Sequence, residues 1–136
     1  GILAAVAIPK LAATRDDAQI SKIVTNITTA QGEISGYTLS QGTAPTDEAN
    51  LTLASNVIKL GIDTGYVSTS ATVTVVGTGR AVRFADDQNN TCATIEVNTT
   101  HMAVVIPASP VGNICGGVAD QITDGNVSIA GQRVRY

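Results

Sequence analysis

The spacing of apolar positions changes twice along the chain. Gly1-Ile2-Leu3-Ala4-Ala5-Val6-Ala7-Ile8 is an apolar run without a charge. Beyond Pro9, the residues Ile20, Ile23, Val24, Ile27, Ala30, Ile34 and Tyr37 recur at spacings of three and four, while Arg15, Asp16, Gln19, Lys22, Asn26 and Glu33 fill the complementary positions. That spacing predicts an amphipathic helix. A helix apolar on all sides must be buried in protein or lipid, whereas an amphipathic one lies on a core. Residues 2 to about 39 therefore predict one rod of roughly 55 Å, longer than a domain of this size covers. Pro9 removes one of its hydrogen bonds and bends its axis. Gly42 and Pro45 end it, and residues 46–60 predict a short helix with Thr46 as N-cap and Gly61 after its end.

From about residue 66 the period becomes two. Residues 71–76 alternate and are rich in Val and Thr, Gly77-Thr78-Gly79 is a turn, and residues 80–85 alternate again. Residues 91–97 and 101–106 are further strands, joined by Asn98-Thr99-Thr100. The pattern predicts an antiparallel meander of about four strands, one face of which meets the apolar stripe of the helix. The expected class is α+β, a long N-terminal helix packed on this meander. Residues 111–136 are Gly-rich and irregular, with short strands expected at 127–129 and 132–136. The expected organisation is an N-terminal helix over 1–40, with an apolar part at 1–9 and an amphipathic part at 10–40. A globular head follows over 41–136.

Composition narrows the function classes. The 136 residues suit one domain. Charged residues are 14% and hydrophobic ones 43%, a balance that suits an extracellular β-rich protein better than a cytosolic enzyme. The net charge of -3 and the scattered basic residues argue against nucleic acid as a main partner, because phosphate binding needs clustered Lys and Arg. Residues 1–8 are too short to span a bilayer, which takes about 20 apolar residues. Without a basic segment before them they are not a complete signal peptide either. They read as the tail of a longer apolar segment, without which stable membrane insertion is not expected. The two cysteines, Cys92 and Cys115, lack the further ligands zinc needs and are not a CxxC pair. A disulfide, and with it an oxidising compartment, is the reading; two separate buried thiols are the alternative.

Residues 1–9 closely resemble the second half of the N-terminal segment of type IV pilins and of the pseudopilins of type II secretion. The order of long helix, connecting segment, meander and cysteine-bounded C-terminal region is similar to that family too. The resemblance implies a pilin fold and a non-enzymatic subunit that waits in the inner membrane. Assembly machinery then extracts it to polymerise with copies of itself into an extracellular filament, or fimbrium, serving adhesion, motility or DNA uptake. Ile2, Leu3, Ala5, Val6, Ile8 and Pro9 would form the assembly helix, and the small Ala4, Ala5 and Ala7 would let helices approach closely. The methylated phenylalanine and the glutamate that open mature chains of that family have no counterpart among these residues. A periplasmic pseudopilin is one alternative. A minor tip subunit that binds DNA or another ligand is a second, but it calls for a basic or aromatic patch that the sequence lacks.

Five Asn-x-Ser/Thr sequons occur, at Asn26, Asn50, Asn89, Asn98 and Asn126. All but Asn26 have an acid two positions earlier: Glu48, Asp87, Glu96 and Asp124. Acids are 11 of 136 residues, so chance gives about 0.4 such sequons in five. The excess resembles the extended acceptor, acid-x-Asn-x-Ser/Thr, of a bacterial oligosaccharyltransferase. It points to N-glycosylation of Asn50, Asn89, Asn98 and Asn126, with Asn89 foremost; the plain alternative is a Thr/Asn-rich surface whose sequons go unused. His101 is the only histidine and fits a strand end better than a hydrolytic triad, which needs a base aimed at a nucleophile. Neither a phosphate-binding glycine loop nor a G-x-S-x-G element occurs. No cofactor is expected. Calcium takes about six to eight oxygens, and Asp120 and Asp124 with Asp86 and Asp87 are its candidate ligands, against the alternative of solvated turn acids.

Overall fold

A computed structural model describes the backbone of residues 2–129 and the side chains of residues 15–125 and 129. Helix α1 is one element, Ile2–Gln41, 40 residues long, or about 60 Å. It continues through Pro9. Its inward stripe is the predicted one as far as Ile34: Ile20, Ile27, Ala30 and Ile34 are buried, with Ile23 and Val24 packed beside them, while Tyr37 is half-buried and outside the core. Thr38 continues the stripe because its hydroxyl donates back to the Ile34 carbonyl (2.8 Å), which satisfies it in the core. Gly42 ends the helix in the left-handed region (φ 77°), and its N–H closes on the Thr38 carbonyl at 2.9 Å.

The helix expected at 46–60 is broken in two by Ser55. Helix α2 is Glu48–Ala54 and α3 is Asn56–Thr64. Asp47, not Thr46, caps α2, its side chain accepting the Asn50 N–H at 2.7 Å. Ser55 is buried and extended; it ends α2, and its Oγ accepts the Ile58 N–H (3.2 Å) to begin α3. The same hydroxyl donates to Glu33 on α1 at 2.7 Å. A side chain able to cap the backbone makes a boundary inside a helical pattern.

Among the described residues the sheet has five strands: β1 Val67–Ser70, β2 Arg80–Ala85, β3 Thr91–Val97, β4 His101–Val105 and β5 Gly125–Ser128. They lie in chain order, each antiparallel to its neighbour. With α1 lying on the sheet, the class is α+β with a long helix on an antiparallel meander, compatible with a pilin fold. Val82, Phe84, Ala93, Ile95, Val97, Met102 and Val104 share one core with the α1 stripe.

Two further expectations change. Residues 71–76 are not a strand; β1 occupies the edge position instead. Residues 112–121, expected to be irregular, form α4, Gly112–Gln121. Its glycines lower helix propensity, but Ile114, Cys115 and Val118 are buried, and tertiary packing prevails. A Cβ on Gly117 would overlap the Ile20 side chain, so glycine is what lets α4 approach α1. The short strand expected at 127–129 is β5, which starts at Gly125. The strand expected at 132–136 lies outside the described residues.

Candidate assembly and modification surfaces

Ile2, Leu3, Ala5, Val6, Ile8 and Pro9 all belong to α1, and their side chains lie outside the description. Among the described side chains, the buried ones of α1 run from Ile20 to Thr38, about 27 Å of a rod of about 60 Å. Among the described residues, no helix is long and apolar enough to cross a membrane. Beside the buried stripe, α1, α3 and the β1–β2 edge of the sheet border an open cleft of about 480 Å³, with Ile23, Val57, Leu60, Tyr66 and Phe84 in its walls and Lys22, Asp86 and Asp87 among its lining.

The disulfide read from the sequence is present, joining Cys92 on β3 to Cys115 on α4 across 23 positions. A bulge helps to place Cys92. The β2–β3 register passes from Phe84↔Ala93 to Ala85↔Thr91, leaving Cys92 as an extra residue. Bulges re-aim a side chain, and here Cys92 and its neighbour Ala93 both enter the same core.

Asp86 lies against the disulfide and is buried, only 5% exposed. Its Oδ1 accepts the N–H groups of Gln88 (2.9 Å) and Asn90 (2.8 Å), and its Oδ2 accepts from Asn90 Nδ2 at 3.1 Å. Cys115 Sγ stands 3.7 Å from Oδ2, but a disulfide sulfur has no proton to give, so this is a contact and not a hydrogen bond. Asp86, Cys92 and Cys115 are the only trio of His, Cys, Asp or Glu ligand atoms within 4.8 Å of one another among the described residues. Both sulfurs are spent in the disulfide and the carboxylate is spent on the turn, so this group is a turn anchor. The calcium ligands considered from sequence are not gathered into such a group: Asp120 is exposed near the end of α4, and Asp124 accepts the Ile106 N–H at 2.8 Å.

The outward face of the sheet holds a feature that alternation conceals. Glu96 stands mid-sheet between Ala81 and Ala103 and is 3% exposed. Residues 71–79 fold back over this face. Glu96 Oε1 accepts the N–H groups of Thr74 (2.9 Å), Val75 (2.7 Å) and Val76 (3.3 Å), and Oε2 accepts the Thr74 hydroxyl at 2.8 Å. Consecutive N–H groups converging on one anion form a nest. Burial pushes the Glu96 pKa up, but the hydrogen bonds from Val75, Thr74 and Val76 together outweigh it, and the carboxyl titrates below its ordinary range. These N–H groups serve a side chain and not a neighbouring strand, which is why residues 71–76 do not join the ladder.

The sequons differ in what their amides do. Asn98 Nδ2 donates to the Val76 carbonyl at 2.6 Å, and its Oδ1 accepts the N–H groups of Thr100 (2.8 Å) and His101 (2.6 Å), tightening the β3–β4 hairpin. Asn50 lies in α2, its Nδ2 donating to Asp47 at 3.1 Å. Asn26 is half-buried in mid-α1. Asn126 lies in β5, its side chain outside the description. Asn89 is exposed in the β2–β3 turn and adopts the left-handed region (φ 63°), which Asn tolerates better than most residues. Its Oδ1 accepts from Arg83 at 3.1 Å. His101 is exposed at the start of β4, with Nδ1 2.8 Å from the Thr100 hydroxyl. Compared with known proteins, this chain matches no protein-family model, no curated protein and no solved structure.

Proposed function

We propose that this chain is a structural subunit of a type IV pilus-like surface filament, polymerising through the apolar first turns of α1. The observation that carries the reading is one continuous 40-residue helix whose described buried stripe runs from Ile20 to Thr38. Upstream of that stripe lies a sequence that is apolar from Ile2 to Ile8. Apolar surface gains roughly 25 cal/mol per Å² when removed from water, and parallel copies of the same helix offer one another that burial once a subunit leaves the membrane. The amphipathic half of α1 meanwhile fixes the head to the rod. The disulfide supports a compartment outside the cytosol. The role is mechanical, and its partners are further copies of the chain, the inner membrane before assembly, and the assembly machinery.

Electron microscopy of filaments sheared from the source cell, followed by mass spectrometry of their subunits, tests this. The expected result is filaments in which this chain is a principal component. Surface filaments that lack the chain, with the chain recovered only as a free monomer, would rule the reading out.

A further inference from the structure

We propose that Asn89 is an N-glycosylation acceptor, and that the matching sequon at Asn98 has been given over to structure. Both have an acid two positions earlier, Asp87 and Glu96, and a threonine two positions later, Thr91 and Thr100. The fold separates them. At Asn98 both recognition groups are occupied: Glu96 is buried beneath residues 74–76, and the amide nitrogen that would take the sugar donates to the Val76 carbonyl. Modifying it would mean dismantling the cover of the outer sheet face. At Asn50 the amide nitrogen is bonded to Asp47 and the backbone is helical, while Glu48 accepts from Thr69 and stands 3.9 Å from Arg80.

Asn89 meets none of these obstacles. It and Asp87 are exposed in the turn between β2 and β3. Its Nδ2 has no hydrogen-bond partner among the described residues; its Oδ1 and backbone carbonyl are engaged by Arg83, and its backbone N–H donates to the Asp86 carbonyl at 3.2 Å. Arg83 also donates to the Thr91 hydroxyl, so one half-buried guanidinium must release Thr91 when an enzyme reads the sequon. The turn is braced beneath by Asp86, so a glycan there projects from a rigid base into solvent. This site does not depend on polymer formation, since the turn is exposed on the isolated subunit.

The donor is a lipid-diphosphate-linked oligosaccharide, used by a membrane-bound oligosaccharyltransferase. The Asn89 amide nitrogen attacks the anomeric carbon of the first sugar. The bond from that carbon to the phosphate oxygen breaks, the lipid diphosphate leaves with the electron pair, and a base of the transferase takes the amide proton.

The test is intact-mass measurement and glycopeptide mapping of the full chain, both from its source cells and co-expressed with such a transferase and its donor. A glycan increment is expected on the unaltered chain. It should disappear in Asn89→Asp, persist in Asn98→Asp, and fall several-fold in occupancy in Asp87→Ala. Aspartate tolerates the left-handed backbone and keeps an acceptor for Arg83. If that variant nevertheless fails to fold, Thr91→Ala removes the sequon while leaving Asn89 in place, and it should likewise carry no sugar. A bare polypeptide mass in both settings, or an increment that survives Asn89→Asp and Thr91→Ala, overturns the proposal.

Discussion

Glu96 sits where strand alternation asks for an outward, solvated side chain, and it is covered. Its flanking partners across the sheet are Ala81 and Ala103, small enough to admit a backbone segment over them. A carboxylate accepting several N–H groups while shielded from water is held in place by charge-assisted hydrogen bonds, each stronger than a neutral one. Glu96→Gln keeps the shape but loses the charge and one acceptor, and it should cost about 2 kcal/mol. Hydrogen exchange of the Thr74, Val75 and Val76 amides should accelerate in that variant while the β3–β4 amides change little. The pH dependence has a definite sign. A carboxyl whose folded pKa lies below its ordinary 4.5 contributes stability that is complete above the unfolded value and is lost as pH falls through the folded one. The melting temperature of the native chain should therefore decline as pH drops below the ordinary value, and Glu96→Gln should flatten that decline; equal slopes for the two proteins would contradict this account. Nothing in the local pattern Thr91–Val97 distinguishes Glu96 from an ordinary exposed strand acid, because its partner N–H groups come from residues 20 to 22 positions earlier.

At the scale of elements, periodicity revealed what local spacing determines and missed what distant partners determine. The α1 stripe, the strands β2 and β3 and the hairpin at Asn98-Thr99-Thr100 follow from spacing alone. Residues 71–76 carry a persuasive strand alternation, yet the N–H groups of Thr74, Val75 and Val76 had a better acceptor in Glu96. Helix α4 was illegible for the opposite reason: Gly112, Gly116 and Gly117 speak against a helix, and burial of Ile114 and Val118, the close approach to Ile20 and the covalent tie to β3 explain it. That tie should account for much of the stability of α4. Opening a loop whose cysteines are 23 positions apart should cost roughly 3 kcal/mol in the chain-entropy account. A Cys92→Ser, Cys115→Ser double variant should accordingly melt on the order of 10 °C lower, with early loss of α4 amide protection. A melting curve unchanged by the double substitution would mean that packing of Ile114 and Val118 holds α4 without the bond. The sequons show the same limit. Their acid-x-Asn-x-Ser/Thr pattern was plain in the sequence, but which amide nitrogen is free depends on Val76 and Asp47, partners that the motif does not contain.

If the proposed assembly role holds, the long helix serves two tasks in the molecule as a whole, and substitutions can separate them. From Ile20 onward α1 belongs to the head: Ile27 and Ile34 are wholly buried against the sheet. An aspartate at Ile27 would leave an unpaired charge in that core, a change that costs several kcal/mol and should unfold the head. If the first turns act in assembly, an aspartate at Val6 should behave differently. The head should then melt within the range of neutral surface substitutions, about 0.5 kcal/mol of the unaltered chain, because the described stripe that binds it begins more than three turns later. Filaments should nevertheless vanish, because a carboxylate among bundled apolar helices is either unpaired in a low-dielectric core or forces that core apart. Thermal melting of the two purified proteins, with filament counts from cells producing each, separates these outcomes. Intact filaments from Val6→Asp cells would show that the apolar run takes no part in the polymer contact. Loss of the head together with the filaments would show that the run belongs to the fold of the single chain. Only filament loss with an unchanged head melt agrees with a helix shared in series between its own domain and neighbouring copies.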